Sequence, residues 1–288
     1  MTDLSHRFLF DNTDIRGEII QLDASFKEVM EIHHYPPAVA SMIGQFMAAS
    51  ALLGSTIKFD GSLTLQARSQ GQIPVIMAEY NSDRSIRAIA RQAETATSND
   101  FSQLLGDGTL AITIDPLEGN RYQGLVALTG DNLASAVEYY FTQSEQIDTI
   151  LVLASSDGKA AGLLLQALPP SANVDTVMRE DRWLSAKQLV ATISDDELLN
   201  LDARTLLYRL FHEDGVRMLE SDAIKFNCHC SSERVSTALT SIGESEARAI
   251  IEEDGKIEMN CEFCNSNYQF LAADIDNLFN SKGGKSLH

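Results

Sequence analysis

All four cysteines of this 288-residue chain lie in its last quarter, in two close pairs. One residue separates Cys228 from Cys230, and two residues separate Cys261 from Cys264. Four thiolates in two such pairs suit a tetrahedral zinc centre, in which each sulfur lies about 2.3 Å from the metal. The same pairs could also close two short disulfides. The spacing therefore predicts a site and leaves open whether its function is metal binding, redox chemistry or both.

A zinc ion in this position would stabilise the fold around it. Zinc binds thiolates, and a structural zinc contributes about 10–16 kcal/mol to the folding of a small module. Whole domains are stable by only about 5–15 kcal/mol, so oxidation that ejects the metal would unfold the module. A bridge between Cys228 and Cys230 would be strained and easily reduced, because the two residues are so close in sequence. This pair favours a reversible redox switch over a static zinc knuckle.

Side chains outside the cysteines offer little other chemistry. His229 is a weaker candidate ligand, because adjacent residues rarely both reach one metal ion, and we interpret it as an exposed spacer. No nucleophile elbow, zinc-protease or dinucleotide-binding motif is found, and no carboxylate pair stands out for acid–base work. The sequence therefore predicts a protein that is not an enzyme.

The charge of the chain disfavours two classes of partner. The net charge is −19, from 22 basic and 41 acidic residues, and so acidic a surface repels nucleic acid and anionic membranes. The apolar stretch Ala38–Leu53 is interrupted by Ser41, Gln45 and Ser50, which favours a closely packed core helix over a membrane span. Residues 1–22 have no apolar signal region, so we expect a cytoplasmic protein with no nucleic-acid or membrane partner.

The elements that must carry the cysteines begin with a mixed region at residues 1–170. Apolar alternation and turn residues predict strands at Ser62–Ser69, Ile73–Tyr80, Leu110–Ile114, Tyr122–Leu128 and Thr149–Ala154. Helical periodicity marks Ala38–Leu53 and Leu133–Phe141, the second capped by Asp131 or Asn132. Strands joined by short turns, with the helices set apart, predict an α+β fold with a largely antiparallel sheet.

The segment 171–224 is predicted to be a helical linker without a convincing strand. Its helices are predicted at Arg182–Ile193 and Glu197–Phe211, and a capping box begins at Ser194. One interpretation is an ordinary helical connector. The other is a marginal, switchable linker, because short isolated helices are unstable in water.

The last segment, 225–288, is predicted to be a small zinc-binding module. Too few apolar residues remain here for a self-sufficient core. Helices are predicted from Ser231 or Ser232 to Leu239 and over Ser245–Glu252, followed by hairpin arms at Lys256–Asn260 and Asn267–Leu271. Cys261 and Cys264 would occupy the hairpin turn.

At these residues the sequence resembles the redox-regulated 33 kDa chaperonin family, the oxidation-activated holdases of bacteria. The resemblance covers nearly the whole chain and is most specific at the cysteines. It is carried by Phe226–Val235, by Ile257–Cys264 with Tyr268 and Phe270, and more weakly by Leu52–Gly54, Tyr139–Phe141, Ser144–Gln146 and Gly162–Pro169.

The resemblance implies a substrate-binding core, a helical linker and a redox switch. In the reduced, inactive protein, Cys228, Cys230, Cys261 and Cys264 would hold one Zn²⁺. Oxidative stress would form the disulfides Cys228–Cys230 and Cys261–Cys264, release zinc, unfold the switch and linker, and allow a homodimer to form. The active chaperone would hold unfolding clients without ATP and pass them to an ATP-dependent foldase system.

Two other functions would fit four cysteines in principle. A zinc-ribbon module for nucleic acid or a protein partner is disfavoured by the acidic charge. A thiol oxidoreductase would need an exposed Cys-x-x-Cys on a thioredoxin-like βαβ unit, which this hairpin context does not offer.

Overall fold

A computed structural model of the chain describes residues 3–11, 13–57, 60–169 and 176–280. The chain forms two compact units, Met1–Asn227 and Cys228–His288, called here the first and the second unit. The start of the predicted linker, 171–175, and the tail, 281–288, lie outside the described residues. The division into segments 1–170, 171–224 and 225–288 stays a prediction.

The first unit contains two sheets. The first sheet is antiparallel and runs in the order β10-β1-β2-β9-β8. Its strands are β1 Leu4–Phe10, β2 Ile15–Leu22, β8 Asp148–Ser156, β9 Lys159–Ala167 and β10 Val216–Ala223. The second sheet runs β11-β5-β4-β3-β6-β7, and its pairs are antiparallel except β11 with β5. Its strands are β3 Gly61–Arg68, β4 Val75–Asn81, β5 Ser85–Arg91, β6 Thr109–Pro116, β7 Tyr122–Ala127 and β11 Lys225–Phe226.

One helix fills the space between the sheets. The helices of this region are α1 Ala24–Ile32, α2 Pro37–Thr56, α3 Phe101–Leu105 and α4 Leu133–Tyr140. Helix α2 packs against strands of both sheets, and a Cβ added at Gly44 would lie 2.1 Å from Ser155 Oγ. Among the described residues, α2 is the one helix apolar and long enough to cross a membrane, and 72% of its most apolar window is buried. The predicted tight packing of a core helix is confirmed.

Burial on both faces explains the apolar run in β9. Leu164 packs into the core beside α2, whereas Leu163 and Leu165 face the other side of the first sheet. A strand covered on both faces loses the alternation of apolar and polar residues. Elsewhere alternation is clear, and in β3 the inward residues are Leu63, Leu65 and Ala67.

The α+β fold with antiparallel sheets is confirmed, but the segment predicted to lack strands is not wholly helical. Its helices are α5 Thr176–Val190, α6 Asp195–Asn200 and α7 Ala203–Phe211. The helix predicted over Glu197–Phe211 is broken, because Asp202 begins α7 by accepting a hydrogen bond from the Thr205 N–H at 3.0 Å. Strand β10 then joins the edge of the first sheet, so the expectation of no strand here was wrong.

The second unit has a small core around a hairpin. Its elements are α8 Ser232–Ile242, α9 Glu244–Asp254, β12 Ile257–Asn260, β13 Asn267–Phe270 and α10 Ala272–Asn280. The predicted helices and hairpin are confirmed, and α10 was not predicted. Its buried apolar cluster consists of Leu239, Ala247, Ile257, Phe270 and Ile275. So small a cluster seldom stabilises a domain without a disulfide, a structural metal or a similar cross-link.

Candidate metal centre

The first cysteine pair lies in the extended segment that leads into α8. Ser231 caps this helix, with its hydroxyl accepting a hydrogen bond from the Arg234 N–H at 3.2 Å. The Arg234 guanidinium in turn donates to the backbone carbonyl of His229 at 2.8 Å. The helix start therefore fixes the backbone between Cys228 and Cys230.

The second pair lies in the turn between β12 and β13. The N–H of Cys261 donates to the Ser266 carbonyl at 2.9 Å, and the N–H of Asn265 donates to the Cys261 carbonyl at 2.7 Å. Asn265 has a φ of 56°, a left-handed conformation that asparagine tolerates better than most residues. This tight turn points the sulfurs of Cys261 and Cys264 the same way.

The structure brings all four predicted residues together. Their sulfur atoms all lie within 4.8 Å of one another, and the four residues are partly exposed. The distance from Cys228 Sγ to Cys261 Sγ is 3.6 Å, and that from Cys230 Sγ to Cys264 Sγ is 3.3 Å. A tetrahedral zinc with bonds of about 2.3 Å separates its sulfurs by about 3.8 Å. The four cysteines can therefore hold a metal ion with only small adjustments.

Among the described residues, no histidine or carboxylate joins this group. Within the described part of the chain, these cysteines are the one cluster of three or more histidine, cysteine or acidic residues close enough to share a metal ion. His229 is not a member, although it lies between two of them. An all-thiolate set favours zinc or another soft metal over magnesium or calcium.

Two hydroxyl groups beside the sulfurs were not predicted. The Tyr268 hydroxyl donates to Cys230 Sγ at 3.1 Å, and the Ser266 hydroxyl lies 3.2 Å from Cys264 Sγ. The hydrogen bond to Cys230 is the main reason why the pKa of Tyr268 rises to about 12, so this phenol keeps its proton. In the sequence, Tyr268 stood out only through the family resemblance. Ser266 could have been noticed only because it places a hydroxyl two residues after Cys264.

The environment shifts two of the thiols in opposite directions. Burial raises the pKa of Cys261, although the backbone N–H groups of Cys264 and Phe263 oppose it. Burial also acts to raise the pKa of Cys264, but hydrogen bonds from Ser266 and the neighbouring thiols outweigh it and lower the pKa to about 7. The thiolate form is therefore more favourable at Cys264 than at Cys261.

An apolar surface lies beneath the helices that follow α5 in the first unit. The residues on this face of the first sheet and on the helices above it form one buried cluster, which includes Phe8, Phe10, Ile15, Ile19, Leu163, Leu165, Val190, Leu198, Leu206, Leu210 and Phe211. The rings of Phe10 and Phe211 meet edge to face, with centroids 4.9 Å apart. Removing α6 and α7 would expose this surface to water.

Two polar side chains of the sheet also hold the helices. Gln21 Nε2 donates to the carbonyl of Leu201 at 2.7 Å, at the break between α6 and α7. Lys159 Nζ donates to Asn200 Oδ1 at 2.7 Å. These bonds fix the end of α6 over the first sheet.

Comparison with known proteins gives one consistent match. A family model described as Hsp33 protein matches residues 3–271. A 33 kDa chaperonin of Pseudomonas savastanoi pv. phaseolicola is 45% identical over 285 residues, which cover 98% of this chain and 95% of that protein. A 33 kDa chaperonin of Pseudomonas putida is 46% identical with the same coverage.

A solved structure shows a similar fold. The crystal structure of a 33 kDa chaperonin from Thermotoga maritima, described as a heat shock protein 33 homolog, matches with a TM-score of 0.82. The match covers 99% of each chain at 20% sequence identity. At that identity the likeness concerns the fold alone.

Proposed function

Because this chain belongs to the Hsp33 family of chaperonins, we propose that it is an ATP-independent holdase that oxidation activates. The observation that carries the proposal is the convergence of Cys228, Cys230, Cys261 and Cys264 within 4.8 Å. In the reduced state these four sulfurs hold one Zn²⁺, and the protein is inactive. The bound ion keeps the thiolates deprotonated and stabilises the second unit.

Oxidised cysteines no longer bind the metal ion, and the second unit loses the stabilisation that the ion provides. The pairing that we propose is Cys228–Cys230 and Cys261–Cys264. Sulfur contacts of 3.6 Å and 3.3 Å run between the pairs, and forming these bridges must bring the two sulfurs within each pair to about 2 Å. With only a small buried apolar cluster left, the second unit then unfolds.

Unfolding of the second unit then spreads to the linker helices. Helix α6 has six residues and α7 has nine, too few for a helix to persist alone in water. Both depend on packing against the first sheet, and release of α6 and α7 uncovers the apolar face around Phe8, Phe10 and Ile19. This face and the freed apolar residues of the linker bind unfolding clients.

The oxidised, partly unfolded protein also has the other partners that we propose. Two activated chains form a homodimer through newly exposed apolar surface, while the net charge of −19 keeps them soluble. Clients pass later to an ATP-dependent foldase system. We assign the protein to the cytoplasm, where thiols stay reduced until stress oxidises them, and to no enzymatic activity.

The proposal is tested by aggregation of a heat-unfolded client enzyme, followed by light scattering. We expect peroxide-treated protein at raised temperature to suppress scattering and the reduced, zinc-loaded protein to leave it unchanged. Zinc release and the fluorescence of Trp183, the one tryptophan of the chain, are recorded on the same samples. Trp183 packs on the buried cluster under the linker, so its emission reports release of the helices. Equal suppression by both forms would contradict the switch.

A further inference from the structure

One hydroxyl group in the second unit ties the two cysteine pairs together. Tyr268 lies in β13, where it pairs with Met259 of β12, and its ring packs on the small apolar cluster. Its hydroxyl reaches across to Cys230 Sγ, 3.1 Å away, on the segment before α8. The bond therefore joins the hairpin that carries one cysteine pair to the loop that carries the other.

The sulfur that Tyr268 contacts also lies close to a sulfur of the other cysteine pair. Cys230 Sγ lies 3.3 Å from Cys264 Sγ, and Ser266 places a second hydroxyl 3.2 Å from Cys264 Sγ. A hydroxyl that donates to a thiolate stabilises its negative charge, and such charge-assisted bonds are about twice as strong as neutral ones. Partners of this kind orient metal ligands, and losing one typically weakens metal binding about 10–100-fold.

The same bond opposes oxidation of the sulfur. When a peroxide oxidises the site, the Cys230 thiolate attacks one oxygen, the O–O bond breaks, and a sulfenic acid and hydroxide form. The Cys228 thiolate then attacks that sulfur and displaces a second hydroxide, so two sulfurs lose two electrons to one peroxide. The first attack uses the sulfur lone pairs that the Tyr268 hydroxyl engages, and the rate of thiolate attack depends on its nucleophilicity.

We propose that Tyr268 is a positioning residue whose hydroxyl holds the Cys230 thiolate in the metal-binding arrangement and thereby sets the peroxide dose at which the metal is released. The inference rests on the proposed zinc switch and adds to it a residue that tunes its threshold. Tyr268 takes no part in the bonds that form or break.

The test compares Tyr268→Phe with the wild-type full chain. The variant keeps the ring on the apolar cluster and removes only the hydroxyl. We expect zinc affinity, measured by chelator competition, to fall about tenfold or more. We also expect faster zinc release at a fixed peroxide concentration. Tyr139→Phe, which changes an exposed tyrosine of α4 in the first unit, outside the linker, is the matched control and should leave both values unchanged.

A spectroscopic readout separates the hydrogen bond from a general loss of structure. In protein loaded with Co²⁺, removing a hydrogen bond to a thiolate raises the energy of its lone pairs. We therefore expect the sulfur-to-cobalt charge-transfer band of Tyr268→Phe to move to longer wavelength, with no shift in Tyr139→Phe. Unchanged affinity, release rate and band position in Tyr268→Phe would overturn the inference.

A second variant covers the case in which Tyr268→Phe does not fold. Site-specific 3-fluorotyrosine at position 268 keeps the ring and the hydroxyl and makes the hydroxyl a stronger donor. Slower zinc release than in wild type supports the inference, and an unchanged rate overturns it. Failure of the wild-type protein to bind zinc or to lose it to peroxide would instead reject the proposed switch itself.

Discussion

Glu18 of β2 is a carboxyl group inside the first unit, and its side chain is buried. The Ser5 hydroxyl donates to Oε1, whereas Oε2 has no hydrogen-bond partner among the described residues. Burial raises the pKa of Glu18 to about 7, and the hydroxyls of Ser5 and Ser55 and the charges of Arg7 and Arg16 oppose this only in part. At neutral pH this residue therefore titrates within the fold.

The raised pKa predicts a pH dependence of stability. Between about pH 4.5 and pH 7 the folded chain keeps a proton on Glu18 that the unfolded chain releases. Its stabilising contribution is complete below the unfolded pKa and is lost as the pH rises through the folded one, at most about 3 kcal/mol. We expect the free energy of unfolding of Glu18→Gln to fall less than that of wild type from pH 5.5 to pH 8 in urea titrations.

The control is Glu79→Gln, which removes a carboxylate paired with Arg87 and keeps Glu18. This variant should keep the pH dependence of wild type, although it should be less stable throughout. Parallel curves for wild type and Glu18→Gln would contradict the assignment of the slope to Glu18.

At the metal centre, the ligand candidates could be predicted and their surroundings could not. Because all four residues are cysteines in two close pairs, residue type alone limits the site to metal binding or redox chemistry. The contacts of Tyr268 and Ser266 depend on the register of the β12–β13 hairpin and on where the segment before α8 passes. Neither is encoded in the spacing of Cys228 and Cys230.

Among the linker helices, α6 is the shortest, with six residues. Leu198 is its one fully buried residue, and its start depends on a capping box in which Ser194 and Glu197 exchange hydrogen bonds. Three acidic residues in its first turn add favourable interactions with the helix dipole. The proposed switch requires such an element, because a six-residue helix held by its cap, by Leu198 and by bonds from Gln21 and Lys159 opens more readily than a long core helix.

Removing the cap should open α6 locally. Ser194→Ala costs about 1 kcal/mol of helix stability, because the Glu197 N–H loses its acceptor. We expect hydrogen-exchange protection at residues 198–201 to fall about fivefold, the equivalent of that energy at room temperature. In the proposed switch, the same change lowers the peroxide dose needed for activation.

The matched control for this variant is Asn132→Ala. Asn132 caps α4 in the same way, by accepting a hydrogen bond from the Ser135 N–H at 2.9 Å, outside the linker. It should reduce protection in α4 and leave α6 unchanged. Full protection of α6 in Ser194→Ala would show that packing, not the cap, holds this helix.

The capping box could be predicted because its signal lies within four residues. Strand β10 could not, since most of its residues are exposed and its partner, β1, lies some two hundred residues earlier in the chain. Strands β1 and β2 were also missed, although they pair with each other as neighbours in the chain and β2 is mostly buried. The capping box and the periodic core helix could be predicted from local signals, whereas β5 and α10 were missed although their packing partners lie close in the chain.

For the molecule as a whole, stability is divided unequally between the two units. The first unit has two large apolar clusters, one between the sheets and one under the linker helices. The second has a cluster of a few buried side chains and four thiols that converge. The first unit therefore has a core of its own, whereas in the proposed switch the metal supplies much of the stability of the second.

Removing the metal should accordingly unfold one unit and spare the strands of the other. With zinc bound, the four thiolates contribute about 10–16 kcal/mol to the folding of a small module, and a chelator under reducing conditions withdraws this contribution without forming disulfides. We expect hydrogen exchange to show loss of protection in β12, β13 and α8, while α2 and the strands around it stay protected. Cys228→Ser combined with Cys230→Ser should give the same pattern without chelator, and restoring zinc should reverse the first case only. A second unit that stays protected in both cases would show that its small apolar cluster suffices, and the cysteines would then control binding by some means other than unfolding.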